Sequence, residues 1–441
     1  MLQATDDVDA PFLSHVRPRG WTNPEPAATY RLVVVGGGAA GLTAAHEVAR
    51  RGGKVAIIER HRLGGQRLAC DAVLQALSET ARSRSGSFES LTESVQRRRL
   101  ALARDASAWR LTAGAVDVFF GTAKFTGPTS IVVDDTPLSF SRAVIAAGTS
   151  LIEPKIDGLK TVGYRTLDTL GEMPRLPRRL AVLGDDPQGA AAAQVMRRLG
   201  CEVHLITMLP TLLPGEEPEI DEWLARQLAH DGVHLHLTAI VRRIEQTGQS
   251  KGLLIERDGA KRKILVDEIL VVGRHRPNLD DLAVGAAGIR FNADAIVVSP
   301  SMQTANSAVF AAGAACGCGD SALAAEASAG VAVQSALGPR RERFELSNVP
   351  RVLLTNPQVA RLGLTFREAL ARGGEVESRR IILTDGESNG LLLLHRDRRT
   401  DRLLGATIVA SNAAARLAPL VLAAAEGLPL AKAGVLDASA V

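Results

Sequence analysis

The clearest chemistry in this chain lies in one short run, Gly36-Gly37-Gly38-Ala39-Ala40-Gly41, which satisfies G-x-G-x-x-G. In that spacing the first glycine permits a tight turn and the second lets the backbone approach a pyrophosphate. The third lets a helix pack closely on a strand. The following helix offers unpaired N–H groups and the positive end of its dipole to phosphates. Glu59 stands about 20 residues further on, where an acid can bind ribose hydroxyls. These residue types in this order point to a dinucleotide site.

A second run, Gly184-Asp185-Asp186-Pro187-Gln188-Gly189, keeps the outer glycines, Gly184 and Gly189, but has Asp186 in the middle. That side chain would fill the space a pyrophosphate needs. Its charge would repel a phosphate by roughly 1–4 kcal/mol per close pair, depending on the local dielectric. Ala191 stands two residues after the last glycine, and the next strand ends in Thr207 and Met208. There is neither an acid for an NAD ribose nor an Arg for an NADP phosphate. Asp185 and Asp186 can instead cap a helix start. This turn argues against NAD(P)H binding.

The remaining reactive side chains are sparse. Four cysteines do not make a disulfide framework in a chain of 441 residues. Cys316-Gly317-Cys318 reads as a substitute dithiol, a soft-metal site or two ordinary loop cysteines. The histidines are scattered; His234 and His236 share one strand face, but no cysteine or acid completes a metal set. No metal site is expected.

The elements that must position these residues follow from local patterns. Leu32 to Val35 is a β-branched strand, an alanine-rich amphipathic helix runs to Arg51, and Lys54 to Ile58 is a second strand. Strand, glycine turn, helix and strand make a βαβ unit and imply a parallel sheet. The pattern recurs with strands at 180–183 and 202–206 around a helix at 190–199. Residues 89–108 read as helical, with short strands near 116–120, 131–133 and 143–146. A strand at Ala308 to Ala312 precedes a helix from about Ser321 to Leu337. Beyond Pro350, strands near 351–355, 377–384, 390–395 and 403–409, with helices at 364–372 and 412–426, read as a separate α+β domain.

Composition narrows the function classes. With 46% hydrophobic and 23% charged residues, the chain can fill ordinary globular cores. The net charge is only +4 and aromatic residues are 3%, unlike proteins that stack bases on aromatic platforms. Nucleic-acid binding is therefore not expected. No run of about 18 apolar residues suggests a membrane span, and Met1 to Ala10 lacks a signal-peptide pattern. A cytoplasmic protein without membrane contact is expected.

Leu32 to Glu59, followed by Arg62-Leu63-Gly64-Gly65, resembles the FAD half of the pyridine nucleotide-disulfide oxidoreductases. Further matches fall in order: Val118 to Phe125, Ala143 to Thr149, Gly273-Arg274-His275-Arg276-Pro277-Asn278, and Val309 to Gly313. The arm from His15 to Pro24 looks like the lead-in of the mercuric reductase-like branch, which is related to dihydrolipoamide dehydrogenases. The resemblance implies an α/β fold with two Rossmann-like domains, the NAD(P) domain inserted in the FAD domain, and a C-terminal α+β dimerisation domain. The expected boundaries are an extended arm 1–29, an FAD-binding domain 30–151 and 273–345, an NAD(P)-binding-like domain 152–272, and a dimerisation domain 346–441. The implied FAD ligands are Gly36, Gly38, Gly41, Glu59, Gly65, Ala123, Gly148 and Gly313. A homodimer is implied.

The same resemblance exposes departures. The family's active-site cysteine pair is reduced to Cys70, at a distance from Gly65 that fits neither position. Cys70 either cycles alone through a sulfenic acid or simply packs in an amphipathic helix. Ala314 stands where the second flavin motif has Asp, and the terminal run Gly434 to Val441 lacks the family's acid–base histidine. The expectation is an FAD-dependent oxidoreductase without dithiol chemistry. The alternative is an inactive member serving as a binding or scaffold module.

Overall fold

A computed structural model describes residues 12–82, 87–319, 321–385 and 388–430. The chain forms two compact units: 1–72, 95–152 and 275–346 make one, and 73–94, 153–274 and 347–441 the other.

The first unit is built on a five-stranded parallel sheet. Its order is Val309–Ala311, Ala143–Ile145, Leu32–Val35, Val55–Glu59, Val116–Phe120. All four residues of Leu32–Val35 are buried, which explains a continuous apolar run instead of alternation. The helices Ala39–Arg50 and Ala322–Leu337 pack against each other, with Ala44, Ala45, Ala329 and Ala332 fully buried. Small side chains let these helices close over the sheet without voids.

The arm, described from residue 12, begins with a helical turn at Leu13–Val16 and only then extends. It runs along Val116–Phe120, the edge strand. Trp21 Nε1 donates to Val118 O at 3.2 Å, and Asn23 exchanges two hydrogen bonds with the Phe120 backbone at 3.0 and 2.8 Å. A sheet edge that would otherwise template pairing is thereby covered.

The second unit contains another parallel sheet, ordered His234–His236, Glu202–Ile206, Arg179–Leu183, Glu268–Val271, Arg165–Thr166. The helices Gln188–Arg198 and Pro218–His230 belong to it. An antiparallel sheet of Ile240–Thr247, Ser250–Arg257 and Ala260–Val266 follows, turning at Asp258-Gly259 with both residues at positive φ. After Pro350 comes a five-stranded antiparallel sheet ordered Arg351–Leu353, Gln358–Gly363, Leu403–Ala410, Ser388–Asp397, Val376–Asp385. The helix Ala413–Ala425 packs on it. The fold is two Rossmann-like domains and a C-terminal α+β domain.

Parallel pairing of Glu202–Ile206 with His234–His236 puts His204 opposite His234. The two rings stack at 4.8 Å, and His204 Nδ1 lies 3.1 Å from His236 Nε2. Burial pushes His236 down to about 4, helped by the charges of His204, Arg262, His234 and Arg257. His204 is lowered too, again mainly by burial. A histidine lowered in the folded state takes up protons preferentially when unfolded. Its contribution to stability is complete above about 6.5 and is lost as pH falls towards 4. The thermal midpoint is therefore expected to fall over that window, and less steeply in His236→Asn. An equal slope in wild type and variant would contradict this.

Candidate functional site

The first glycine turn is set by contacts within the chain at its two ends. Gly36 has φ +106°, and a Cβ there would overlap the Ala146 carbonyl oxygen. A Cβ on Gly41 would overlap the Gly36 carbonyl oxygen. Packing alone therefore requires both outer glycines. Gly38 is different. A Cβ added there meets no atom within 4 Å. Gly38 is also the N-cap of Ala39–Arg50, and among the described residues no side-chain hydrogen bond caps that helix end. The middle glycine thus keeps open the space in front of unpaired helix N–H groups, as a phosphate approaching the backbone requires.

Glu59 anchors the turn from the neighbouring strand. Its Oε2 accepts from Gly37 N and its Oε1 from His61 N, both at 2.7 Å. An ionised carboxylate has about four acceptor positions, so capacity remains for two hydroxyl groups. Gly64 N donates to Gly37 O at 2.7 Å, and a Cβ on Gly65 would stand 3.0 Å from Gly38 Cα. On another side, a Cβ on Gly313 would lie 3.2 Å from Ala40 Cβ, while Gly313 N donates to Ser328 Oγ at 2.9 Å.

Gly36, Gly38, Gly41, Glu59, Gly65 and Gly313 are thus brought to one helix N-terminus. Gly148 and Ala123 are tied to it at one remove. Ala146 N donates to Val35 O at 2.8 Å, and Gly121 N donates to Glu59 O at 3.0 Å. Two further contributors stand in runs already matched to the family, which gave them no role at this turn. Asn278 donates from Nδ2 to Ala147 O at 3.0 Å and from its backbone to Gly148 O at 3.1 Å. Arg17 donates to the carbonyls of Arg60 and His61 at 3.0 and 3.1 Å, and its guanidinium lies 4.5 Å from the Phe120 ring centre. The Arg-Pro lead-in was the only sequence signal for the second.

Cys70 lies half-buried in a π-helical turn, Arg67–Asp71, and not in the regular amphipathic helix expected; that helix starts at Ala72. No disulfide links the four cysteines. The terminal run from Gly434 to Val441 lies outside the described residues.

In the second unit the outer glycine is again a packing requirement, since a Cβ on Gly184 would overlap the Val272 carbonyl oxygen. Gly189 meets its neighbours at ordinary contact distances of 3.5 Å or more. Asp186 Oδ1 accepts from Gln188 N at 2.8 Å, so the chain's own carboxylate takes the first helical N–H. Asp185 does not cap. Its Oδ1 accepts from the Thr207 hydroxyl at 2.7 Å, and Thr207 Oγ1 in turn accepts from Leu209 N. The hydroxyl at the end of the next strand draws this carboxylate away from the helix.

Among the described residues, no group of three or more His, Cys, Asp or Glu could hold a metal ion. No helix among them is long and apolar enough to cross a membrane.

Residues 30–334 match the pyridine nucleotide-disulphide oxidoreductase family, and residues 349–435 match that family's dimerisation domain. The chain belongs to this family. Among its relatives, the mercuric reductase of Lysinibacillus sphaericus is 31% identical over 409 residues, spanning 87% of this chain and 75% of the relative. The dihydrolipoyl dehydrogenase of Thermus scotoductus is 28% identical over 433 residues, spanning 92% and 93%. The HOCl-induced flavoprotein disulfide reductase RclA from Escherichia coli superposes with a TM-score of 0.82 over 91% of this chain and 94% of that one. At 23% identity that likeness concerns the fold alone. Members of the family use FAD, and the open space at Gly38, the uncapped helix and the remaining acceptor capacity of Glu59 fit the pyrophosphate and ribose of such a group.

The glycines separate packing from ligand approach. Gly41→Ala is expected to destabilise the protein by about 1–3 kcal/mol through overpacking. Gly38→Ala is expected to leave the thermal midpoint of the apoprotein within a few degrees of wild type while lowering FAD affinity at least tenfold. Wild-type FAD affinity in Gly38→Ala, measured by fluorescence titration, would contradict the role given to its open side.

Proposed function

We propose that this protein is a homodimeric, FAD-dependent oxidoreductase that binds FAD at the first glycine turn and runs its chemistry without an intrachain dithiol or nicotinamide at the second. The carrying observation is the contrast at the middle position of the two turns. Gly38 leaves a helix N-terminus open, whereas Asp186 fills its counterpart with a hydrogen-bonded carboxylate. Gly36, Gly38 and Gly41 would admit the pyrophosphate, and Glu59 would hold the ribose while fixing Gly37. Gly65, Ala123, Gly148 and Gly313 would supply backbone around the rest of the group. FAD, when bound, supplies hydride and single-electron transfer.

The chain's own residues limit what can feed it. A nicotinamide dinucleotide at the second turn must displace Asp186 from Gln188 N and tolerate a carboxylate beside its phosphates. That repulsion costs from about 1 kcal/mol in water to about 4 kcal/mol at an effective dielectric of 20. Cys70 is the single cysteine in the family's dithiol segment, and a disulfide needs a second sulfur within bonding reach. Donor and acceptor therefore differ from the family's usual pair. The blocked second turn also suits a second reading, a scaffold that retains FAD without turnover.

Anaerobic mixing tests the proposal. With FAD bound, neither NADH nor NADPH is expected to bleach the flavin within seconds, and Asp186→Gly is expected to gain measurable reduction. Rapid bleaching of the wild type would overturn the blocked-turn reading. Chemically reduced protein is expected to return electrons to a quinone within seconds. A flavin that stays reduced for many minutes would favour the scaffold.

A further inference from the structure

Just beyond the nucleotide turn the first unit gathers three sulfur atoms. Gly313–Cys316 forms a 3₁₀ turn ended by Gly317 at φ +71°, and the chain doubles back so that Cys316 Sγ lies 3.2 Å from Cys318 Sγ. Met302 Sδ lies 3.6 Å from Cys318 Sγ. The three residues are 8%, 4% and 3% exposed for Cys316, Cys318 and Met302, so the group is sheltered from competing water.

The backbone brings these sulfurs together and holds them there. Met302 adopts φ +63°, a left-handed conformation that non-glycine residues seldom take up. It is pinned by Met302 N donating to Ser299 O at 2.9 Å and Ala311 N donating to Met302 O at 3.0 Å. On the cysteine side, Ile296 N donates to Ala315 O at 2.9 Å and Cys318 N to Gly313 O at 3.3 Å.

We propose that Cys316, Cys318 and Met302 form a binding site for a soft monovalent cation, Cu(I) or Ag(I). Two thiols and a thioether are the donor types that select Cu(I), and the group includes no imidazole or carboxylate to favour a harder ion. Binding would release thiol protons and place the cation between sulfurs that must move apart from 3.2 Å. The loop can give at Gly317, which is exposed and where even an added Cβ would meet only Ala295 at 3.6 Å. The donor set does not include Cys70 and involves no electron transfer, so it stands independently of the proposed oxidoreductase chemistry.

The test is a competition between the reduced, full-length protein and a chromogenic Cu(I) chelator under anaerobic conditions. The wild type is expected to withdraw one Cu(I) per chain. Cys316→Ser combined with Cys318→Ser should weaken binding at least 100-fold, and Met302→Leu about tenfold. Cys70→Ser should leave binding unchanged. Because the double variant alters a buried loop, its flavin content is measured alongside, and Met302→Leu supplies an isosteric check. Zn(II) is expected not to displace Cu(I) at equal concentration. Cu(I) binding that survives the double substitution, or that is lost in Cys70→Ser, would overturn the proposal, as would equal competition by Zn(II).

Discussion

Glu59 stands at the end of its strand with one carboxylate oxygen on Gly37 N–H and the other on His61 N–H, and the first turn takes its shape from that pair of bonds. Hydrogen bonds to a charged acceptor contribute about 1.5–3 kcal/mol each, enough to hold a glycine-rich loop against its conformational freedom. Everything else at the turn is arranged around the result. Gly64 bonds back to Gly37, Gly65 lies over Gly38, and Arg17 ties the arm to the carbonyls that follow Glu59. The open side of Gly38 has meaning only because its neighbours are immobilised in this way.

The second turn shows what the same backbone does when the ligand's place is given to the chain. Gly184 is retained because the Val272 carbonyl leaves no room for a side chain, whereas the middle position carries a carboxylate that caps its own helix. A helix N-terminus attracts negative charge from either source. At Gly38 the glycine itself brings no charge. At Asp186 it is built in. Gly36, Gly41 and Gly184 therefore report packing, whereas the middle position decides whether the helix end is open or occupied by the chain.

This distinction was partly legible in the sequence. The run Leu32 to Val35, the glycine spacing and Glu59 follow local rules of strand burial and helix start, and both parallel sheets could be inferred from them. Asp186 was visible as a misfit, although its partner Gln188 was not, and Asp185 turned to Thr207 because of a long-range contact. The strand Gln358–Gly363 was missed because Arg361 interrupts its apolar pattern; that side chain is buried and paired with Glu216 at 3.4 Å. The charged antiparallel strands between Ile240 and Val266 look like surface loops, yet Asp258-Gly259 is a strong hairpin signal that was available. The sulfur group was half visible: Cys316 and Cys318 stand together, whereas Met302 joins them only through a backbone conformation that residue types do not reveal.

The central claim is that the first turn is a working FAD site with Glu59 at its centre. It is tested most directly by the visible absorbance of the purified protein, before and after incubation with FAD, for wild type and Glu59→Ala. The expected result is a two-banded oxidised-flavin spectrum at one FAD per chain in the wild type, with affinity reduced at least tenfold in the variant. A colourless wild-type protein that takes up no FAD, or equal retention by Glu59→Ala, would contradict the account.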